Sequence, residues 1–261
     1  MDTFFDRLIQ CEKTRFTANE YRGRADAPPF TIVEGSIPVL VSAPHAVTHF
    51  REGRVKASED FTGPIALELA RATGAHAIVA TRFDGADPNA DPFEASAYKQ
   101  ALAEQVGRFG IGLVIDIHGM VTVSPAIIAV GTGDGANISQ WPELGVLVME
   151  IVESRLAPFA ERYGKQIVFD GRYAARDENT VAATTARLCG VAALQVELST
   201  LLRYPGGIMG RTPRGEPSPF SRSALSAELS ARLNPDRAVV EAAFETLEAI
   251  VRLVPRHRAS Q

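Results

Sequence analysis

The sequence predicts an α/β fold: a single three-layer domain with a mainly parallel, mixed sheet and helices on both faces. Three observations predict it. From residue 30 onward, short β-branched apolar runs alternate with longer stretches of helical composition, the pattern of strands joined by crossover helices. Hydrophobic residues make up 46% and charged residues 22% of the 261, the balance of a globular protein long enough for one large domain. No uncharged apolar run approaches the ~18 residues of a membrane-spanning helix.

The elements follow in order. Residues 1–29 form a peripheral lead-in, with a short helix over Phe4–Cys11 and a polar segment closed by Pro28-Pro29. The domain proper is 30–261. Its first buried strand is Ile37–Ser42, bounded by Gly35 and Pro44. A helix over 62–73 takes Thr62 as N-cap and Gly74 as C-cap glycine. His76–Thr81 is a strand, 94–106 a helix, and Ile111–Ile117 a third strand. Ala126–Val130 is apolar and precedes Gly131-Thr132-Gly133-Asp134-Gly135, a loop turn that lacks the Gly-Lys-Ser/Thr ending of a phosphate loop. A helix over 143–160, a short strand around Gln166–Phe169, a helix over 179–188 and a strand over Val191–Val196 continue the alternation. Residues 205–222, rich in Pro, Gly and Arg, follow neither period and make a candidate lid loop. The last stretch, 223–253, is helical with a stop and restart at Asn234-Pro235.

Charge narrows the function classes. A net charge of -4 and a pI near 5.8 argue against nucleic-acid binding by bulk electrostatics. The first residues carry acids and no apolar signal segment, and Cys11 and Cys189 are too few for a disulfide framework. A cytoplasmic location with no membrane partner is the expectation, and Cys189 reads as a small buried hydrophobe. No Gly-x-Ser-x-Gly elbow supports a serine hydrolase. Oligomeric state has no signature in the sequence.

In sheets of this kind ligands bind beyond the carboxyl ends of the strands. Three strand ends carry capable groups: Pro44-His45, His118-Gly119 and Glu197. Two imidazoles and a carboxylate at one sheet edge, with another acid as base, are what a zinc hydrolase site needs. Glu59 and Asp60 add acids on the loop after His45. Taken singly, each histidine reads as well as a hydrogen-bonded structural residue, Glu197 as an ion-pair partner, and Glu59 and Asp60 as acids at a helix N-terminus. Their conjunction makes the case. Asp116, two residues before His118, projects from the same sheet face and suits a carboxylate that fixes an imidazole tautomer, or a plain ion pair. Arginine is the natural clamp for a substrate carboxylate. Arg203 and Arg172 are favoured over Arg82 and Arg176, and Asn89 is a polar contact or a turn residue. His49 reads as a partly exposed side chain, and His76 carries no assigned role.

Four segments occur in one order: Ser42-Ala43-Pro44-His45, Ser58-Glu59-Asp60-Phe61-Thr62, Ile115-Asp116-Ile117-His118-Gly119 and Leu194-Gln195-Val196-Glu197-Leu198. Together, over roughly residues 37–203, they resemble the N-formylglutamate amidohydrolase family, which is similar in fold to zinc carboxypeptidases and to the aspartoacylase and succinylglutamate desuccinylase group. The resemblance implies a phosphorylase/hydrolase-like fold and one zinc ion bound by His45, Glu59 and His118. It also implies Glu197 as general base and acid, and hydrolysis of the amide of a small N-acyl amino acid. His45 and Glu59 stand 14 residues apart, wider than in zinc carboxypeptidases, so Asp60 is the reserve ligand. Ala46-Val47 after Pro-His, where the family commonly has glycine, leaves the substrate open. The alternatives are a non-catalytic α/β domain that binds a small ligand or metal, and a zinc peptidase of carboxypeptidase type.

Overall fold

The apolar runs become strands because their β-branched side chains fill both faces of a covered sheet. The computed structural model describes residues 3–120, 123–204 and 237–254. Helix α1 (Phe4–Cys11) leads through a π turn to β1 (Phe30–Val33) and β2 (Val39–Ala43). A ribbon of β3 (His49–Arg51) and β4 (Arg54–Lys56) precedes α2 (Thr62–Thr73) and β5 (His76–Ala80). Then come α3 (Ala97–Phe109), β6 (Leu113–Gly119), β7 (Ala126–Gly131), α4 (Leu144–Arg162) and β8 (Gln166–Phe169). The described chain ends with α5 (Val181–Cys189), β9 (Ala192–Leu198), the short α6 (Thr200–Arg203) and α7 (Arg237–Val251).

Seven strands form one sheet in the order β1-β5-β2-β6-β9-β7-β8. The central run β5-β2-β6-β9 is parallel, whereas β1 joins β5 and β7 joins β9 antiparallel. Crossovers from β2 to β5 and from β5 to β6 travel in opposite directions along the sheet. With right-handed connections they place α2 and α3 on opposite faces. Helix α7 packs against both α2 and α4, and α3 packs with α5. Val41, Ile115, Leu194 and Val196 are wholly buried between the layers. Truncating Ile115 to alanine removes enough packing to cost about 2–5 kcal/mol.

Local chemistry sets the boundaries. Ser96 caps α3 by accepting from the Lys99 amide, and Thr180 caps α5 by accepting from Ala183. The cap of α2 is Phe61, in the left-handed region at φ 67°, with no side-chain cap bond, so Thr62 starts the helix one residue inside its expected role. The β3–β4 turn holds Glu52 and Gly53 at φ 53° and 73°, the two positive values of a tight hairpin turn.

The first 29 residues do more than skirt the domain. Phe5, Leu8 and Phe16 are buried in the main core, because the amphipathic α1 lays its apolar side against α2 and the π turn after it sets the Phe16 ring against Gly63. Cys189 is half-buried rather than buried. The 205–222 segment lies outside the described residues, as does the Asn234-Pro235 break. No helix among the described residues is long and apolar enough to cross a membrane.

Candidate active site

Register decides which side chains meet. Neighbours on parallel strands point to the same face, so the pairings Asp116↔Gln195 and His118↔Glu197 across β6 and β9 set four polar groups on one patch at the carboxyl edge. His45 reaches it from the turn after β2. Glu59 is carried in by the loop before α2, whose backbone amide at Glu59 donates to the His45 carbonyl at 2.8 Å.

The Glu59 carboxylate sits between the two histidines. Its Oε1 lies 3.0 Å from His45 Nδ1 and its Oε2 3.1 Å from His118 Nδ1, and the Gly119 amide donates to Oε2 at 2.9 Å. On the far side of each ring stands a fully buried carboxylate: Asp87 Oδ1 is 2.9 Å from His45 Nε2, and Asp116 Oδ2 is 2.8 Å from His118 Nε2. Burial pushes both imidazoles toward neutrality. The facing carboxylates outweigh it, Glu59 first for His45 and Asp116 first for His118, so both pKa values are raised. Burial likewise pushes Glu59 up, and the charges of His45 and His118 bring it well below the usual carboxylate range.

These donors suit a dication. A neutral imidazole has one N–H, and each ring here has a carboxylate at both nitrogens. With the protons on the Nε2 atoms facing Asp87 and Asp116, the Nδ1 lone pairs and Glu59 converge as three bare acceptors, with ligand atoms within 4.8 Å of one another. Two additional imidazole protons or one dication balance that set equally, and imidazole with carboxylate is a zinc donor set. His45, His49 and Asp87 also cluster this closely. There, however, His49 stacks face to face on His45, with centroids 3.8 Å apart and planes 10° apart. Their in-plane lone pairs run side by side rather than converging.

Glu197 stands across β6 and β9 from His118 and is 7% exposed. Burial raises its pKa to about 7 against the pull of His118, with Glu59 pushing the same way as burial. His45, Glu59, His118 and Glu197 line one open cleft of about 790 Å³, together with Asn89, Arg172, Tyr173 and Gln195.

The remaining expected residues divide. Arg172 is exposed on the cleft, its guanidinium 5.7 Å from the Tyr173 ring centre. It makes no hydrogen bond or ion pair with another described residue. Arg176 spends its fork on Asp134 and on backbone carbonyls. Arg203, expected as a substrate clamp, is only 4% exposed and donates to the backbone carbonyls of Leu198, Asp60 and Met120. The short α6 turns it back beneath the strand ends, where it braces the loops. Asn89 does line the cleft, but both ends of its amide are engaged by protein groups. Asp60 is likewise committed, to the Ser58 and Tyr204 hydroxyls at 2.6 Å each.

Sequence reasoning missed Asp87 and His49. Asp87 is wholly buried and also accepts from Arg51 Nε at 2.5 Å. Its signal was its position in the loop after β5, one more strand end. His49 is 6% exposed rather than partly open, because β3 turns it against His45. His76, given no role, is also buried and accepts from the Gly35 amide at 3.1 Å.

No protein-family model matches this sequence, and no curated protein matches it. Among solved structures, the N-formylglutamate amidohydrolase from Ralstonia eutropha JMP134 aligns over 87% of this chain and 99% of its own, with 15% identity and a TM-score of 0.50. The two chains share a fold. It is the fold that the four segments implied. A bacteriophage poly-gamma-glutamate hydrolase aligns over 85% of this chain and 91% of its own at 16% identity and a TM-score of 0.42. A metallo-carboxypeptidase from Burkholderia cenocepacia aligns over 88% and 65% at 13% identity and a TM-score of 0.45.

Proposed function

We propose that the chain is a zinc-dependent amidohydrolase that cleaves the amide bond of a small N-acyl amino acid, N-formylglutamate-like in type. One observation carries the reading: a three-donor cluster of two buried histidines and a partly buried glutamate shares a cleft with a separate buried carboxylate of near-neutral pKa. His45, Glu59 and His118 hold the metal, which supplies Lewis acidity for hydrolysis.

The chain's own groups do the rest. Asp87 and Asp116 accept from the Nε2 atoms of His45 and His118, which fixes the tautomer that turns each Nδ1 inward. Glu197, with its pKa near 7, is matched to take a proton from the attacking water at neutral pH and return it to the leaving nitrogen. Arg172, exposed on the cleft with its fork uncommitted among the described residues, engages the carboxylate of the amino acid through two parallel hydrogen bonds.

The test joins metal analysis to a substrate panel. Protein purified without added metal is expected to hold stoichiometric zinc and to release free amine from N-formylglutamate or a related N-acyl amino acid. A folded protein with neither zinc nor hydrolysis of any panel member overturns the reading.

A further inference from the structure

Glu197 is tied to the cleft wall by two side-chain amides whose sense is fixed at both ends. The backbone N–H of Val181, at the start of α5, donates to Asn89 Oδ1 at 2.8 Å. A backbone N–H only donates, so the carbonyl end of the Asn89 amide must face it. Asn89 Nδ2 is thereby turned toward Gln195 Oε1, 3.4 Å away. Gln195 Nε2 in turn faces Glu197 Oε1 at 3.3 Å and the Tyr173 carbonyl at 3.5 Å. That carbonyl only accepts, so the far end enforces the same direction. Gln195 is 4% exposed and stands two residues before Glu197 on β9, on the same face.

We propose that Asn89 and Gln195 form a two-amide relay that holds Glu197 in place and keeps a donor on its Oε1, so that Asn89 positions the base instead of contacting substrate. The proposal rests on Glu197 being the base. The individual contacts are long and weak; the relay acts through direction. With the Asn89 amide locked by α5, Gln195 has one favourable orientation, and in it a donor rather than an acceptor meets the carboxylate. Reversing Gln195 sets its Oε1 against Glu197 and its Nε2 against Asn89 Nδ2, two like contacts at once.

Asn89→Asp tests the direction. It keeps the shape and the acceptor for Val181 but sets a second oxygen against Gln195 Oε1, so the near end of the relay no longer agrees with the far end at Glu197 and the Tyr173 carbonyl, and the Gln195 amide loses its single favourable orientation. Gln195→Met removes both ends of the link at similar length. In each variant kcat is expected to fall about tenfold to a hundredfold while KM stays within about twofold, with zinc content and melting temperature close to wild type. The acid limb of the kcat profile moves to higher pH, because a carboxylate that loses a donor holds its proton more tightly. A second readout is independent of turnover. The Gln195 side-chain NH₂ signal in a ¹⁵N spectrum, assigned by its loss in Gln195→Met, is expected to shift in Asn89→Asp.

A raised KM with unchanged kcat in Asn89→Asp makes Asn89 a substrate contact and overturns the relay. An unmoved Gln195 signal overturns it as well. If the wild type hydrolyses no amide while the Gln195 signal moves, the relay stands and the amidohydrolase reading fails. If Asn89→Asp does not fold, Gln195→Met decides the kinetic question: unchanged kcat and an unmoved acid limb in that variant overturn the proposal.

Discussion

Two carboxylates, Glu59 and Glu197, face the same cleft and hold their protons differently. Glu59 lies between two imidazoles and a backbone amide and is driven well below the usual range. Glu197, one strand away from His118, has a single weak side-chain donor at 3.3 Å and rises to about 7. Burial pushes both upward; the number of positive or donating neighbours decides which yields. A carboxylate that is always charged suits metal binding, and one poised near neutrality suits proton transfer. The comparison assigns the two roles from surroundings, since the side chains are the same.

The largest expected effect breaks the Glu59 side. His45→Ala, His118→Ala and Glu59→Gln should each remove nearly all bound zinc, read by elemental analysis, with circular dichroism still reporting an α/β protein. Asp60→Asn should keep its zinc, since both Asp60 oxygens serve neighbouring hydroxyls. Loss of metal in Asp60→Asn alone would move the ligand by one residue. Next comes the Glu197 side. Glu197→Gln preserves shape and should retain zinc while kcat falls by about two to four powers of ten; an active variant would place the base elsewhere.

A smaller effect sharpens the comparison by acting one contact away. Asp87→Asn keeps an acceptor for His45 Nε2 but removes its charge. It should weaken zinc affinity by about tenfold to a hundredfold in a chelator competition, and unchanged affinity would detach Asp87 from the site. The smallest concerns Glu12, a buried acid outside the cleft. Glu12 is raised to about 8, chiefly by burial and next by Asp60, although Tyr21 and the Phe61 amide donate to it. Folding therefore retains a proton that the unfolded chain gives up near the ordinary glutamate value. Stability is fullest below that value and declines as pH rises toward 8. Glu12→Gln should raise the melting temperature above pH 8 by a few degrees and leave it unchanged near pH 4. A gain that is the same at both pH values would show that the charge is not its source.

Much of this architecture was legible because it is written in periodicity. Ile111–Ile117 and Val191–Val196 read as strands from their apolar runs, and the side chains that follow them, His118 and Glu197, had to fall at the sheet edge. Glu59 was legible only through its motif, since a loop has no period to announce where it returns. Asp87 was hidden among Asp84 and Asp91 in a segment whose composition says only turn. Arg203 was misplaced for a local reason. Six residues beyond Glu197 looks close to the chemistry, but α6 reverses the chain and buries the guanidinium against backbone carbonyls. Phe16 and Phe5 joined the core because a polar-looking lead-in can still present one apolar side.

The pairing of His118 with Glu197 across adjacent parallel strands turns the sheet into a ruler. Their backbones are held at the interstrand spacing of about 4.8 Å, a distance maintained by the hydrogen-bond ladder along all of β6 and β9. Loops around the cleft can lengthen, shorten or change composition without altering that gap. Under the proposed function, selectivity can therefore drift while the chemical step keeps its calibration, and a substitution that slips the β6–β9 register by one residue would cost that reaction before it cost the protein its fold.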